Sequence, residues 1–365
     1  MTLKVHLQYP WKFPDSSYYK NILDFHPTGV EFINYKDKGK KMEVIGSSKK
    51  FEAIRKFKNI LRRILNLLCL PNLTYSFKNN YDLIHCAHCL SLNKRSWVVD
   101  TETYDRVSAG GNIANSKLGK WLIKKRLESK YCKKIVCWSE DCKATFENAF
   151  PHNKIILDKI TILPFALQMP KFNKIKHKKI RILFVARWFD AKGGRQTLEV
   201  FDRLSRLYHN AEFIFICPTP KEFKDKYSKN RSIKIMELIP QERLFREVYP
   251  SCDIFFYPGF GDSYGFAVPE ALSYGLPVIS TSTFAKRELV KEGKTGFLVD
   301  LPNNWKGYED MNEEFIKDLV EKTSILITNK QLRDKMIKAA ISDSKGRFSI
   351  NKRNKKLKEI YEESV

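Results

Sequence analysis

The chain has 365 residues and a formal net charge of +25. That length exceeds one ordinary core and suits two domains of about 150–180 residues. A hydrophobic content of 43% with 16 Gly and 15 Pro excludes a disordered or collagen-like chain, and the charge predicts affinity for polyanions such as nucleic acid, an anionic membrane surface or phosphorylated substrates.

A lysine-rich proteome would give the same excess of charge, so composition alone does not choose a partner. The start, "MTLKVHLQYPWKFPD", has no apolar core of roughly 7–15 residues after a basic segment, and no secretory signal is read there. No run reaches the roughly 20 apolar residues that span a bilayer. The eight cysteines are scattered, several in apolar runs such as "KIVCW" and "FIFICP". They read as reduced, buried thiols, and the expected location is cytoplasmic.

In chain order, "KVHLQYP", "GVEFINY", "YDLIHCAH", "SWVVDTET" and "KKIVCWS" read as strands. Between them lie basic amphipathic helices. "KKFEAIRKFKNILRRILNLL" places Phe51, Ile54, Phe57, Leu61, Ile64, Leu65 and Leu68 at helical spacing, with Lys and Arg opposite, and "SKLGKWLIKKRLESKYCKK" is similar. These helices either pack on the sheet or present a membrane-surface face, with Lys50, Arg55, Lys56, Arg62 and Arg63 beside Phe51, Phe57, Ile60 and Leu61. The cluster "IHCAHC" (His85, Cys86, His88, Cys89) contains a C-x-x-C, but zinc sites of this kind usually need a second ligand pair at regular spacing. Period-2 alternation splits these residues between strand faces, so no metal is expected.

A polar, lysine-rich linker, "ALQMPKFNKIKHKK", is followed by a second alternation: "IRILFVAR", "AEFIFICP", "SIKIMELI", "CDIFFYP", "PVIST" and "GFLVD" as strands. The helices between them are "GGRQTLEVFDRLSRLY", "QERLFREVYPS", one around 269–274, and "AKRELVKEG", with a closing helix in "FSINKRNKKLKEIYEESV". The pattern predicts an α/β chain of two doubly wound, Rossmann-like domains facing a cleft, the first over 1–170 and the second over 178–346, with the helix at about 347–365 returning to the first. In such sheets ligands bind beyond the carboxyl ends of the strands.

Two stretches of the second half carry chemistry. In "VARWFDAKGG", Arg187 sits at a strand end and Lys192 just before Gly193 and Gly194 and a helix start. Fixed cations beside free amides are what an anion site needs, although both could be solvated loop charges. In "GDSYGFAVPEALSYGLPVIST", Gly259, Gly261 and Gly265 form a loop that a ligand can approach closely. Pro269 suits a first helical turn and Gly275 a helix end. The amides of Phe266, Ala267 and Val268 are expected to point out of the helix start, with Glu270 in the first turn and Asp262 in the loop.

Asp262-x7-Glu270 resembles the E-x7-E signature of the retaining glycosyltransferases of family 4 (glycosyl transferases group 1), which have the GT-B fold. "LFVARWFDAKGG", "PQERLFREVYPSCDIFFYP", "ELVKEGKTGFLVD" and "RFSINKRNKKLKEIYEE" are similar to further segments of that family. The resemblance implies a nucleotide-diphosphate sugar as donor. Arg187 and Lys192 would hold its diphosphate, and Gly265 with the amides of Phe266, Ala267 and Val268 its distal phosphate. Glu270 would take the ribose hydroxyls and Asp262 those of the donor sugar. No D-x-D motif occurs, which fits metal-independent chemistry without a separate cofactor.

Three departures stand out. Asp262 replaces the usual Glu, "QYPWKFPDSSYYKNIL" lacks a glycine-rich acceptor loop, and "SWVVDTETYDR" offers Asp100, Glu102 and Asp105 where many members carry a His. The expected activity is retaining, metal-independent transfer of a sugar from a UDP- or GDP-linked donor to a glycan or lipid-linked acceptor. The rival readings are a GT-B nucleotide-sugar epimerase and a non-catalytic polyanion-binding protein. Nucleic acid is not the expected partner, because no nucleic-acid motif is recognisable.

Overall fold

A computed structural model of the chain describes residues 2–8, 17–33, 64, 67–68, 70–108 and 111–365. The chain divides into two compact units, Met1–Leu167 with Ile350–Val365, and Gln168–Ser349.

In the first unit the described strands are β1 (Leu3–Gln8), β2 (Val30–Phe32), β3 (Leu73–Thr74), β4 (Leu83–Ala87), β5 (Leu90–Ser91), β6 (Trp97–Thr101), β7 (Cys132–Cys137) and β8 (Ile160–Ile162). Six of them form a parallel sheet in the order β2-β1-β4-β6-β7-β8, and β3 pairs with β5 beside it. Every residue of β4 and β6 is buried, as a parallel sheet covered on both faces requires. The helix Lys117–Glu128 is capped by Ser116, whose hydroxyl accepts from the Gly119 amide, and buries Ile123 and Leu127. It stops short of Cys132, where β7 begins. The residues named above for a membrane-facing helix between Lys50 and Arg63 lie outside the described residues, as do 9–16 of the departing first loop.

The C-terminal helix Ile350–Glu362 belongs to this unit. Arg353, 4% exposed, donates to the carbonyls of Asn21 and Phe25, and Tyr361 Oη lies 2.6 Å from His85 Nδ1.

The second unit carries β9 (Ile180–Val185), β10 (Ala211–Ile216), β11 (Ile233–Met236), β12 (Ile254–Tyr257), β13 (Val278–Thr281) and β14 (Gly296–Val299), all parallel, in the order β11-β10-β9-β12-β13-β14. The order reverses between β9 and β12, and the loops leaving these two central strands carry the candidate site. The helix Gly194–Leu207 packs Phe201 against Phe213 and Phe256, with ring centroids 4.9 and 5.4 Å apart. "QERLFREVYPS" is no single helix. It passes through α, π and 3-10 turns, the last around Pro250, which has no amide hydrogen to continue the ladder. Two helices the strand pattern had not separated, Glu313–Thr328 and Lys330–Arg347, complete the unit. The polar stretch read as a linker begins at the division between the units and touches the second: Phe172 lies 4.8 Å from the Tyr274 ring, and the Ile175 amide donates to the Pro250 carbonyl.

Candidate active site

After β9 the chain leaves the sheet at Ala186, with Arg187 exposed, and makes a 3-10 turn over Asp190–Lys192. Gly193, at φ +78°, admits the helix that follows. Its left-handed backbone and a Pro258 Cβ only 2.8 Å from where a side chain would begin both demand glycine. After β12, Pro258 opens the loop, and Gly259 and Gly265 adopt φ of +60° and +82°. Hydroxyls of the next strand fix this exit: Ser280 Oγ donates to the Tyr257 carbonyl and Thr281 Oγ1 to that of Pro258.

The two exits are joined. The Gly259 and Gly261 amides donate to the carbonyls of Lys192 and Ala191. Lys192 Nζ lies 3.0 Å from Asp262 Oδ1 and donates to the Gly261 carbonyl at 3.3 Å. The other oxygen of Asp262 accepts from Tyr257 Oη at 2.5 Å. Burial, and then the Asp262 charge, push the Tyr257 phenol well above its ordinary range, so it stays a donor. Thus Lys192 and Asp262, read from sequence as serving different parts of a ligand, form one ion pair. Arg187 and Glu270 stand close enough for the guanidinium to favour the carboxylate.

The helix after the loop runs over Ala267–Ser273 and ends before Gly275 at φ +72°. One expected donor is not available: the Val268 amide donates to the Gly265 carbonyl at 2.9 Å, closing the turn that starts the helix. Burial raises the Glu270 carboxyl to about 7, opposed by the Tyr249 hydroxyl and the Arg187 charge. Tyr249 Oη is 3.5 Å from Glu270 Oε2, and its ring stacks on Tyr274 at 5.1 Å.

Sequence reasoning passed over Lys286. It lies in "AKRELVKEG", where a lysine reads as a solvated helix charge. The structure buries it completely, with Nζ donating to the Gly259 carbonyl at 2.8 Å. No local signal in that mixed polar segment, with Arg287 and Glu288 next to it, distinguishes Lys286 from its solvated neighbours.

In the first unit, the "IHCAHC" residues are engaged separately. His85 Nε2 approaches Asp100 Oδ2 at 3.2 Å without the alignment of a hydrogen bond. Cys86 Sγ contacts Gln8 Oε1, and Cys89 Sγ the Gln8 carbonyl. Desolvation lowers His88 to about 4, leaving it a neutral imidazole. Of the acids at the end of β6, Asp100 is buried and also accepts from Tyr19 Oη, Glu102 pairs with Arg106, and Asp105 accepts from Thr103 Oγ1.

The comparisons bear on the second unit above all. Residues 167–343 match the model for "Glycosyl transferases group 1". An uncharacterized glycosyltransferase of Haemophilus influenzae is 26% identical over 228 residues, covering 61% of this chain and 58% of that protein. A probable sucrose-phosphate synthase of Thermosipho melanesiensis is 25% identical over 226 residues, covering 54% and 52%. The chain thus spans little more than half the length of these relatives. HepE of Anabaena, solved in complex with UDP and glucose, superposes with a TM-score of 0.64 at 12% identity, covering 98% of each chain. At that identity the likeness concerns the fold, which is that of the GT-B glycosyltransferases. Residues 167–343 are therefore similar to a glycosyl transferases group 1 domain, and the fold is that of the GT-B framework.

Proposed function

We propose that the protein is a retaining, metal-independent glycosyltransferase that moves a sugar from a nucleotide-diphosphate donor to a glycan or lipid-linked acceptor. The observation that carries this reading is the linked pair of strand exits, in which Lys192 and Asp262 meet at 3.0 Å and the Arg187 charge acts on the Glu270 carboxylate. Of the UDP- and GDP-linked donors, UDP is favoured by the UDP and glucose bound to the Anabaena protein. Arg187 and Lys192 supply fixed positive charge for the diphosphate, and Glu270 and Asp262 supply acceptors for sugar hydroxyls. In the transfer, the bond between the anomeric carbon and the distal phosphate oxygen breaks and its electron pair stays on the diphosphate. The acceptor oxygen bonds the same face of that carbon, and its proton passes to the released phosphate. Charge builds on the leaving group, and preorganised cations stabilise it without a metal.

The test is a panel of UDP- and GDP-sugars read by thermal shift and product formation. K192A and D262A are each expected to lower turnover by about 10²–10³, the range for removing one preorganised partner of developing charge. Unchanged turnover in both variants overturns the site. Free nucleotide with an altered sugar and no acceptor product indicates an epimerase. Binding of polyanions but of no nucleotide sugar indicates a non-catalytic protein.

The reading of an anionic membrane surface as a partner is supported in the first unit by one patch. Trp121 and Ile155 are 52% and 56% exposed and stand among Lys117, Lys120, Lys124 and Lys154. Exposed apolar side chains ringed by cations suit a headgroup interface. Vesicles containing phosphatidylglycerol are expected to sediment the protein at low salt, and W121A with K120E to release it. Equal sedimentation of the variant removes this reading.

A further inference from the structure

Lys286 has no part in the site as sequence describes it, yet its burial is costly. Removing an ammonium from water costs several kcal/mol unless it is partnered. Here that cation sits beneath the loop that bears Asp262.

The loop is strapped on two sides. On one side Lys192 donates to the Gly261 carbonyl, and the amides of Gly259 and Gly261 bond back to residues 191–192. On the other side Lys286 Nζ donates to the Gly259 carbonyl at 2.8 Å, and the Ala285 amide donates to the Ser263 carbonyl at 3.3 Å. The turn that delivers Lys286 is strained: Phe284 stands at φ +51°, a left-handed conformation that costs a non-glycine residue about 1 kcal/mol or more. Its ring centroid lies 5.7 Å from Lys286 Nζ. Gly265 marks the meeting point. A Cβ there would lie 3.5 Å from Asp262 Oδ2 and 3.7 Å from Lys286 Cγ, so the carboxylate and the lysine stem flank one spot. Without Lys286 the Gly259 carbonyl loses its charged partner, and on that side the loop keeps the backbone bond from Ala285 to Ser263.

We infer that Lys286 is a positioning residue for recognition of the donor's sugar, acting through the Gly259–Gly265 loop on Asp262. This rests on the proposed function above. Lys286 fixes where the Asp262 carboxylate stands, and so separates affinity for the sugar-linked nucleotide from affinity for the nucleotide alone. A residue that only stabilised the fold would weaken both ligands together.

The experiment is calorimetric titration of the full chain with UDP and with UDP-glucose, repeated with GDP and GDP-mannose if neither binds. In K286M the nucleotide is expected to keep its affinity within about twofold, while the nucleotide sugar loses about tenfold or more; D262N is expected to lose the nucleotide sugar by a similar factor. K286M with D262N in one chain is expected to bind the nucleotide sugar no more weakly than either single variant, because the two act as one unit. K286Q, which keeps a neutral donor for the Gly259 carbonyl, gives an intermediate loss and decides the matter if K286M does not fold. Equal losses for nucleotide and nucleotide sugar, or additive losses in the double variant, overturn the assignment. If the unsubstituted chain binds none of the four ligands, the proposed function itself fails, an outcome distinct from equal losses in the variants.

Discussion

Glu270 links the site to stability. Its carboxyl is raised to about 7 by burial, against an unfolded value near 4.5. A raised folded value means the native state holds the proton more tightly than the unfolded chain. The associated stability is complete below about pH 4.5 and is lost as pH rises through about 7. E270Q is therefore expected to exceed the native chain in stability by up to about 3 kcal/mol at about pH 8 and to match it at about pH 4. Denaturant midpoints at the two pH values check this; a pH-independent difference would contradict it. The same variant is expected to bind the donor more weakly, the usual exchange of stability for function. Arg187, Lys192, Asp262 and Glu270 could be singled out because each lies after a recognisable apolar strand, in or beside a segment that glycines mark. The contact between Lys192 and Asp262 was not, since 70 residues separate them and only the pairing of β9 with β12 brings them together.

The turns that carry these residues depend on close backbone packing. A Cβ on Gly194 would lie 2.4 Å from the Phe189 ring, which is itself buried. G194A must push that ring aside, and a loss of about 1–3 kcal/mol is expected, as for overpacking elsewhere. Thermal denaturation measures it; an unshifted midpoint would mean that the ring has room to move. Sequence placed a short helix around 269–274 through Pro269 and Gly275, close to the observed Ala267–Ser273, because each residue acts locally on φ. It misjudged the Val268 amide for a related reason. Whether a first-turn donor is free depends on how tightly the preceding loop folds back, and Gly265 at φ +82° folds it far enough to take that hydrogen.

The first unit is completed by the far end of the chain. Arg353 is buried against the carbonyls of Asn21 and Phe25, and Tyr361 reaches His85 within the sheet. R353A leaves those carbonyls without their charged donor and is expected to cost about 1–3 kcal/mol. A lowered unfolding midpoint with donor affinity retained would place the effect in the first unit; loss of donor affinity without destabilisation would contradict it. By itself, the sequence determined two α/β domains and the parallel strands in both, and it pointed to a phosphate-and-hydroxyl chemistry in the second. Those follow from apolar periodicity, strand-end cations and glycine turns, all properties of neighbours along the chain. Tertiary structure alone decided that Lys192 meets Asp262, that Asp100 is spent on His85 and Tyr19, and that Lys286 is buried beneath the loop. Each is a contact between segments distant in sequence, set by strand order and burial, which no local pattern encodes.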